Sequence, residues 1–273
     1  PAKEAPADAL AAKEKEEPAK PAASPPADKP AEAEEAEEAK DKPTLPVEAG
    51  LNRFVWDLTW PPAKDLPELI LWTGDVPEPM SVPGSYQARL TVPGAGGGTF
   101  TQPFEIRKDP RSSATQEDLE AQLRFEMEVR DKLTETHEAI GRIREVRAQL
   151  GELEKRLAKE AAMKPVVDAA KDLGKKITEV EEALYQTHNR TAEDPLNFPI
   201  RLNDKLNGVA SSAALGDYRP TAQAVQAKEQ LTAAIDAQLA RLRALWDGDL
   251  ARLNQLAREK GVAAVITPPV QLK

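Results

Sequence analysis

Residues 115–159 constrain the fold most. In their second half Ala139, Ile143, Val146, Leu150, Leu153 and Leu157 recur at steps of four and three, which keeps one apolar stripe on one side of an α-helix. A sustained seven-residue repeat of this kind needs a partner helix. Residues 165–187 carry the matching signal: Val166, Ala170, Leu173, Ile177, Val180 and Leu184 follow the same steps. The two stripes are expected to face each other in an antiparallel helical hairpin. Met163-Lys164-Pro165 separates them, because proline lacks the amide hydrogen that a helix interior needs yet suits the first helical position.

The surrounding signals extend this into an all-helical domain over residues 112–273. Ser113 or Thr115 suits the N-cap of the first helix, with Glu117 and Asp118 favourable beside its N-terminal dipole. Leu119, Leu123 and Met127 form its early apolar face, which drifts toward Leu133 and Ile140. Asp194-Pro195 and Phe198-Pro199 mark a loop, and a shorter helix follows with Leu202, Leu206, Val209 and Ala213 on one side. The last helix begins near Thr221 and carries Ile235, Leu239, Leu242, Trp246, Leu253 and Leu256. Asp247-Gly248-Asp249 predicts a kink within it, since glycine costs about 1 kcal/mol against alanine in a helix. Residues 262–266 suit either a strand or a packed tail.

The first third of the chain is different in kind. Aromatic residues are only 4% of the sequence, and its 24 prolines crowd the N-terminal side. Residues 1–44 are an Ala/Pro/Glu/Lys-rich tract with too few bulky apolar residues to offset the entropy of ordering, roughly 1 to 2 kcal/mol per residue. A disordered acidic linker is expected there. Residues 45–111 read as a small β module. Leu51-Asn-Arg-Phe-Val-Trp-Asp-Leu58 alternates, which predicts a strand burying Phe54, Trp56 and Leu58 on one face. Residues 68–72 suggest a short edge strand. Pro83-Gly84 marks a turn before the alternation of Tyr86, Ala88, Leu90 and Val92; glycines 94–98 make a hairpin loop; Phe100, Gln102, Phe104 and Ile106 follow, with Pro103 implying an edge or bulge. A stable sandwich usually takes about seven strands, so the module is expected to be partial, with its missing strands upstream. The chain opens on Pro1 rather than Met, and is read as a piece of something longer.

These residues carry a family resemblance. Gly50-Leu-Asn-Arg-Phe-Val-Trp-Asp-Leu58, Pro83-Gly-Ser-Tyr86, Gln102-Pro-Phe-Glu-Ile106 and Asp109-Pro-Arg111 resemble the C-terminal region of large bacterial proteins whose N-terminal part is a sortilin-like or sialidase-like BNR-repeat β-propeller. Thr115-Gln-Glu-Asp-Leu119, Arg130-Asp-Lys-Leu133 and the run from Pro195-Leu-Asn-Phe to Asn203-Asp-Lys-Leu206 resemble its helical segment. The likeness spans residues 45 to about 266. It implies a partial Ig-like β-sandwich followed by a helical bundle, an extracytoplasmic (periplasmic or secreted) location, and an upstream propeller with further strands as partners. The propeller itself, to which any family activity would be attributed, has no counterpart in this sequence.

Chemistry is sparse. A net charge of −9 without a Lys/Arg cluster argues against a nucleic-acid surface. The absence of cysteine excludes disulfides and thiolate metal sites. No apolar run approaches the ~18 residues of a membrane span. His137 and His188 share no ligand spacing, so neither a metal nor another cofactor is expected. They read as a helix-flank residue and a helix-end cation, replaceable by alanine at little cost. Asp57 beside Trp56 and Trp60 has the makings of an acid near a sugar platform, but regular alternation puts it on the face opposite Trp56, and a glycosidase needs two converging carboxylates. Arg53 is expected to pair with a neighbouring carboxylate or carbonyl. Trp60 and Trp72 remain as carbohydrate-stacking candidates, and Asn189-Arg-Thr191 fits an N-glycosylation acceptor. The expected function is a non-catalytic structural or protein-interaction segment of an exported β-propeller protein. The alternative is an accessory part of a glycoside-hydrolase-like enzyme, or a carbohydrate-binding module.

Overall fold

The computed structural model describes residues 45, 48–66, 68–94 and 96–267. The linker expected over residues 1–44 lies outside them. The chain divides into two units, Pro1–Val55 and Trp56–Lys273. In the first, Asn52 closes a turn on Glu48: the Glu48 amide donates to Asn52 Oδ1 (2.9 Å), and Asn52 Nδ2 donates to the carbonyls of Glu48 (2.9 Å) and Gly50 (3.2 Å). Gly50 sits at φ 114°, where a side chain would be strained.

The strand expected over residues 51–58 does not form. Phe54 is 62% exposed, and Leu58 has φ 69°, the left-handed region that interrupts an extended strand. Alternation alone makes no strand without a neighbouring backbone to pair with. Here the nearest pairing is one isolated bridge, Thr59 to Met80. The short edge expected at 68–72 is also absent: Glu68 has φ 64°, and the backbone beyond it bonds to side chains instead of to another strand.

Within Trp56–Lys273, β1 (Gly84–Val92) and β2 (Gly98–Ile106) form a two-stranded antiparallel sheet. The register pairs Tyr86 with Phe104, Ala88 with Gln102 and Leu90 with Phe100, so the apolar residues of both strands share one face. Trp56 packs on one end of that face, its ring centroid 6.1 Å from both Tyr86 and Phe104. It does so from a loop, pinned by Nε1–H donating to the Thr59 carbonyl at 2.9 Å. The 93–97 turn requires glycine, since a Cβ on Gly97 would lie 2.0 Å from the Val92 carbonyl oxygen.

The rest is mostly helical, giving a mixed α+β fold. Helix α1 (Gln116–Leu157) starts at Thr115, which forms a capping box with Asp118. A 3₁₀ turn (Ala161–Met163) leads into α2 (Lys164–Leu184), with Pro165 in its first turn. Ile143, Val146, Leu150 and Leu153 on α1 and Val166, Ala170, Leu173, Ile177, Val180 and Leu184 on α2 are all buried in one core. Arg144 and Arg147 reach Glu181, whereas Leu150 lies beside Gly174.

Helix α3 (Leu202–Ala213) and helix α4 (Ala222–Leu245), capped by Thr221, complete the packing. The expected kink is a five-residue π turn (Trp246–Leu250) that inserts an extra residue before α5 (Ala251–Glu259). Residues 262–267 form no strand. They pack as a tail: Asn254 exchanges two hydrogen bonds of 2.8 Å with the Val265 backbone, and Gln149 two of 2.9 Å with Ile266.

One segment crosses the expected boundary at residue 111. Ala63, Leu66 and Val76 are buried in the same core as the helices, so residues 60–82 form a strap over the helices, not a layer of the sheet. The strongest demand on stability is the α1–α2 seam. Ile143→Ala or Ile177→Ala is expected to cost about 2 to 5 kcal/mol, and the pair together should largely unfold a domain holding about 5 to 15 kcal/mol, as read by circular dichroism in a urea titration.

Candidate functional site

The densest array of buried polar side chains lies beneath the strap. An extended segment laid on helices buries backbone amides and carbonyls that must find partners, and here helix side chains provide them. The Lys64 amide donates to Thr134 Oγ1 at 3.1 Å, and the Lys64 carbonyl lies 2.8 Å from His137 Nδ1. The Ile70 amide donates to the Tyr185 hydroxyl at 3.2 Å. Asp204 accepts from the Trp72 amide (2.8 Å), the Thr73 amide (3.2 Å) and the Thr73 hydroxyl (2.8 Å). Asn207 Nδ2 donates to Thr73 Oγ1 (2.7 Å) and the Gly74 carbonyl (3.0 Å). At the far end, Glu126 is buried near Met80 and Gln122.

Burial acts strongly on the titrating members. Desolvation pushes Glu126 up to about 7, only partly countered by the neighbouring Met80 backbone and Gln122 side chain. Desolvation likewise lowers His137 below its ordinary value and raises Asp65 above its own. His137 Nε2 and Asp65 Oδ1 are buried without a hydrogen-bond partner among the described residues.

The residues singled out from sequence lie elsewhere or play other parts. Arg53 is exposed, in the Pro1–Val55 unit. Asp57 is exposed and held below the usual carboxylate range by hydrogen bonds from the Thr59 hydroxyl (2.7 Å) and amide (3.3 Å). The same hydroxyl lies 2.7 Å from Glu78 Oε2. A carboxyl held low does not suit proton donation near neutral pH. Trp60 and Trp72 are 39% and 48% exposed; both lie on the strap.

His188 lies beyond the end of α2, not at it, and stacks on Phe198, centroids 5.3 Å apart. Asn189 is buried, its amide removed from the surface a glycan would need. His137 is no helix-flank residue: its ring is 0% exposed. Among the described residues no group of three or more His, Asp or Glu side chains gathers where it would hold a metal ion, and no helix is long and apolar enough to cross a membrane.

Glu126, His137, Asp204 and Asn207 were invisible as a group in the sequence, because their partners are backbone atoms far along the chain. The only available signal was polar residues standing at positions of an otherwise apolar helical stripe. Chemically, the array binds an extended backbone. Compared with protein-family models, curated proteins and solved structures, the chain matches none of them.

Two predictions follow from burial. His137→Ala is expected to destabilise by about 1 to 3 kcal/mol, the usual penalty for an orphaned buried polar group, where a flank residue would be silent; chemical denaturation measures it. Glu126 has a folded value raised from 4.5 to about 7, so its contribution is fully favourable below 4.5 and is lost as pH rises through 7. Glu126→Gln should therefore flatten that part of the stability–pH curve, compared with the parent in melts from pH 4 to 8.

Proposed function

We propose that this chain is a non-catalytic structural and protein-interaction segment of an exported β-propeller protein. In this reading α1 and α2 form an antiparallel helical hairpin as scaffold, and the two-stranded sheet belongs to an Ig-like module completed by other strands. The observation that carries the interaction role is the sheet. Leu90 and Phe100, opposite each other, are 51% and 61% exposed. The outer edges of both strands make no further backbone hydrogen bonds among the described residues. An exposed apolar face with open edges is a site for strand addition or protein contact. The polar side chains in the helical core support the same view, since they are engaged in holding the strap. The propeller partner and an extracytoplasmic location rest on the sequence resemblance of residues 50–58 and the runs that follow.

A second reading, an accessory or carbohydrate-binding part of a glycoside-hydrolase-like protein, draws on the partly exposed rings of Trp60 and Trp72. The two separate experimentally. A hydrophobic dye should bind the chain, and Leu90→Thr with Phe100→Thr should remove most of its fluorescence at unchanged helical content. A glycan array should show no binding that Trp60→Ala or Trp72→Ala abolishes. Tryptophan-dependent glycan binding, with no dye response, would favour the carbohydrate reading instead.

A further inference from the structure

We propose that the 60–66 end of the strap is a proton-operated clasp, held by neutral His137 and released when that imidazole is protonated. His137 is fully buried, and its Nδ1 lies 2.8 Å from the Lys64 carbonyl oxygen, which can only accept, so Nδ1 carries a hydrogen. Its other nitrogen, Nε2, is buried and meets no hydrogen-bond partner among the described residues. A proton arriving there becomes a charged donor with nothing to bind, a condition that buried groups do not tolerate. Water reaching Nε2 relieves it, and lifting the strap admits that water.

Two charged groups act on the ring. Asp65, on the strap, has Oδ1 3.4 Å from Nδ1 and favours the imidazolium, while Arg144, two turns along α1, opposes it. The Asp65 side chain is 47% exposed and on the Nδ1 side, so it offsets only part of the cost. Asp75 in turn disfavours the Asp65 charge. Because the folded His137 value is depressed, the clasp contributes fully above about 6.5, the ordinary imidazole value, and its contribution is lost as pH falls through the folded value. Asp65, raised in the folded state, titrates in the opposite sense and must be tested separately.

The release is local. The next stretch of strap is fixed by Asp204 and Asn207, which grip Trp72, Thr73 and Gly74. Neither of these side chains is coupled to His137 by a hydrogen bond.

Hydrogen exchange of the full chain from pH 7 to 4, corrected for intrinsic rates, tests this. Protection at the Lys64 amide should fall by up to about tenfold per pH unit as pH drops from about 6.5 to the folded His137 value, the window in which the opened state binds one more proton, and level off below it, while the Trp72 and Thr73 amides keep theirs. His137→Gln, which can still donate to the Lys64 carbonyl but does not titrate, should abolish the transition. Asp65→Asn should move it to lower pH. Should His137→Gln fail to fold, the imidazole resonances of the wild-type chain decide. Titration of His137 without loss of Lys64 protection overturns the proposal. So does equal loss at all three amides, which would be global unfolding, or an unchanged transition in His137→Gln.

Discussion

Packing of α1 against α2 is the interaction on which the other contacts rest. Ile143, Leu150, Leu173, Ile177 and Leu184 are among its largest fully buried side chains. Glu181 is buried in the same seam, its carboxylate held by Arg144 at 2.8 Å and by Arg147. A buried ion pair adds little net stability, because desolvation offsets its attraction, but removing one partner leaves an uncompensated charge. Its effect here is to fix register: a slip of α2 by one turn would strand Glu181 away from both arginines. Arg144 also lies over the Tyr185 ring, 5.2 Å from its centroid, and the Tyr185 hydroxyl takes the Ile70 amide. The seam therefore reaches the strap through Tyr185, as α1 does through Thr134 and His137.

The strap explains why so many polar groups are buried in a core built on apolar periodicity. Connecting segments usually run over the surface, where water satisfies their backbone. Ala63, Leu66 and Val76 instead pull this one into the core. The helices must then present acceptors and donors, and α3 gives up part of its buried face to do so: Asp204 and Asn207 are buried beside Leu206 and Ala210. Gly208 belongs to the same adaptation, since a Cβ there would stand 3.0 Å from Thr73 Cγ2. Asp204 and Asn207 are receptors for the chain's own backbone, and His137 meets the Lys64 carbonyl.

The legibility of the sequence divides along the range of the interactions. Signals that act within a few residues were readable: the stripes of α1 and α2, the Thr115 cap, Pro165, the Gly248 interruption and the β1–β2 hairpin. Features that depend on distant partners were not. Residues 51–58 alternate as a strand does, yet a strand exists only where another backbone lies alongside. Leu58 adopts a left-handed conformation that the pattern could not reveal. The contacts of Asp204 with Trp72 and Thr73 span more than 130 residues, and no local periodicity encodes them. His137 was misplaced for the same reason. On a helical wheel it is a polar interruption, and only the strap's carbonyl makes it a core residue.

The sheet and the helices thus differ in how completely their polar and apolar demands are met. Over the helices, strap and tail each cover part of the core, with Leu66 of the strap and Val265 of the tail buried. On the sheet, Trp56 covers only the end bearing Tyr86 and Phe104. A nine-residue strand is about 30 Å long at roughly 3.3 Å per residue, and one indole spans only part of that length. Leu90, Val92 and Phe100 lie toward the hairpin turn and stay exposed. Two strands rarely hold a stable fold without a third strand or a packed helix. The apolar face of the sheet is therefore a demand that the described residues leave unmet.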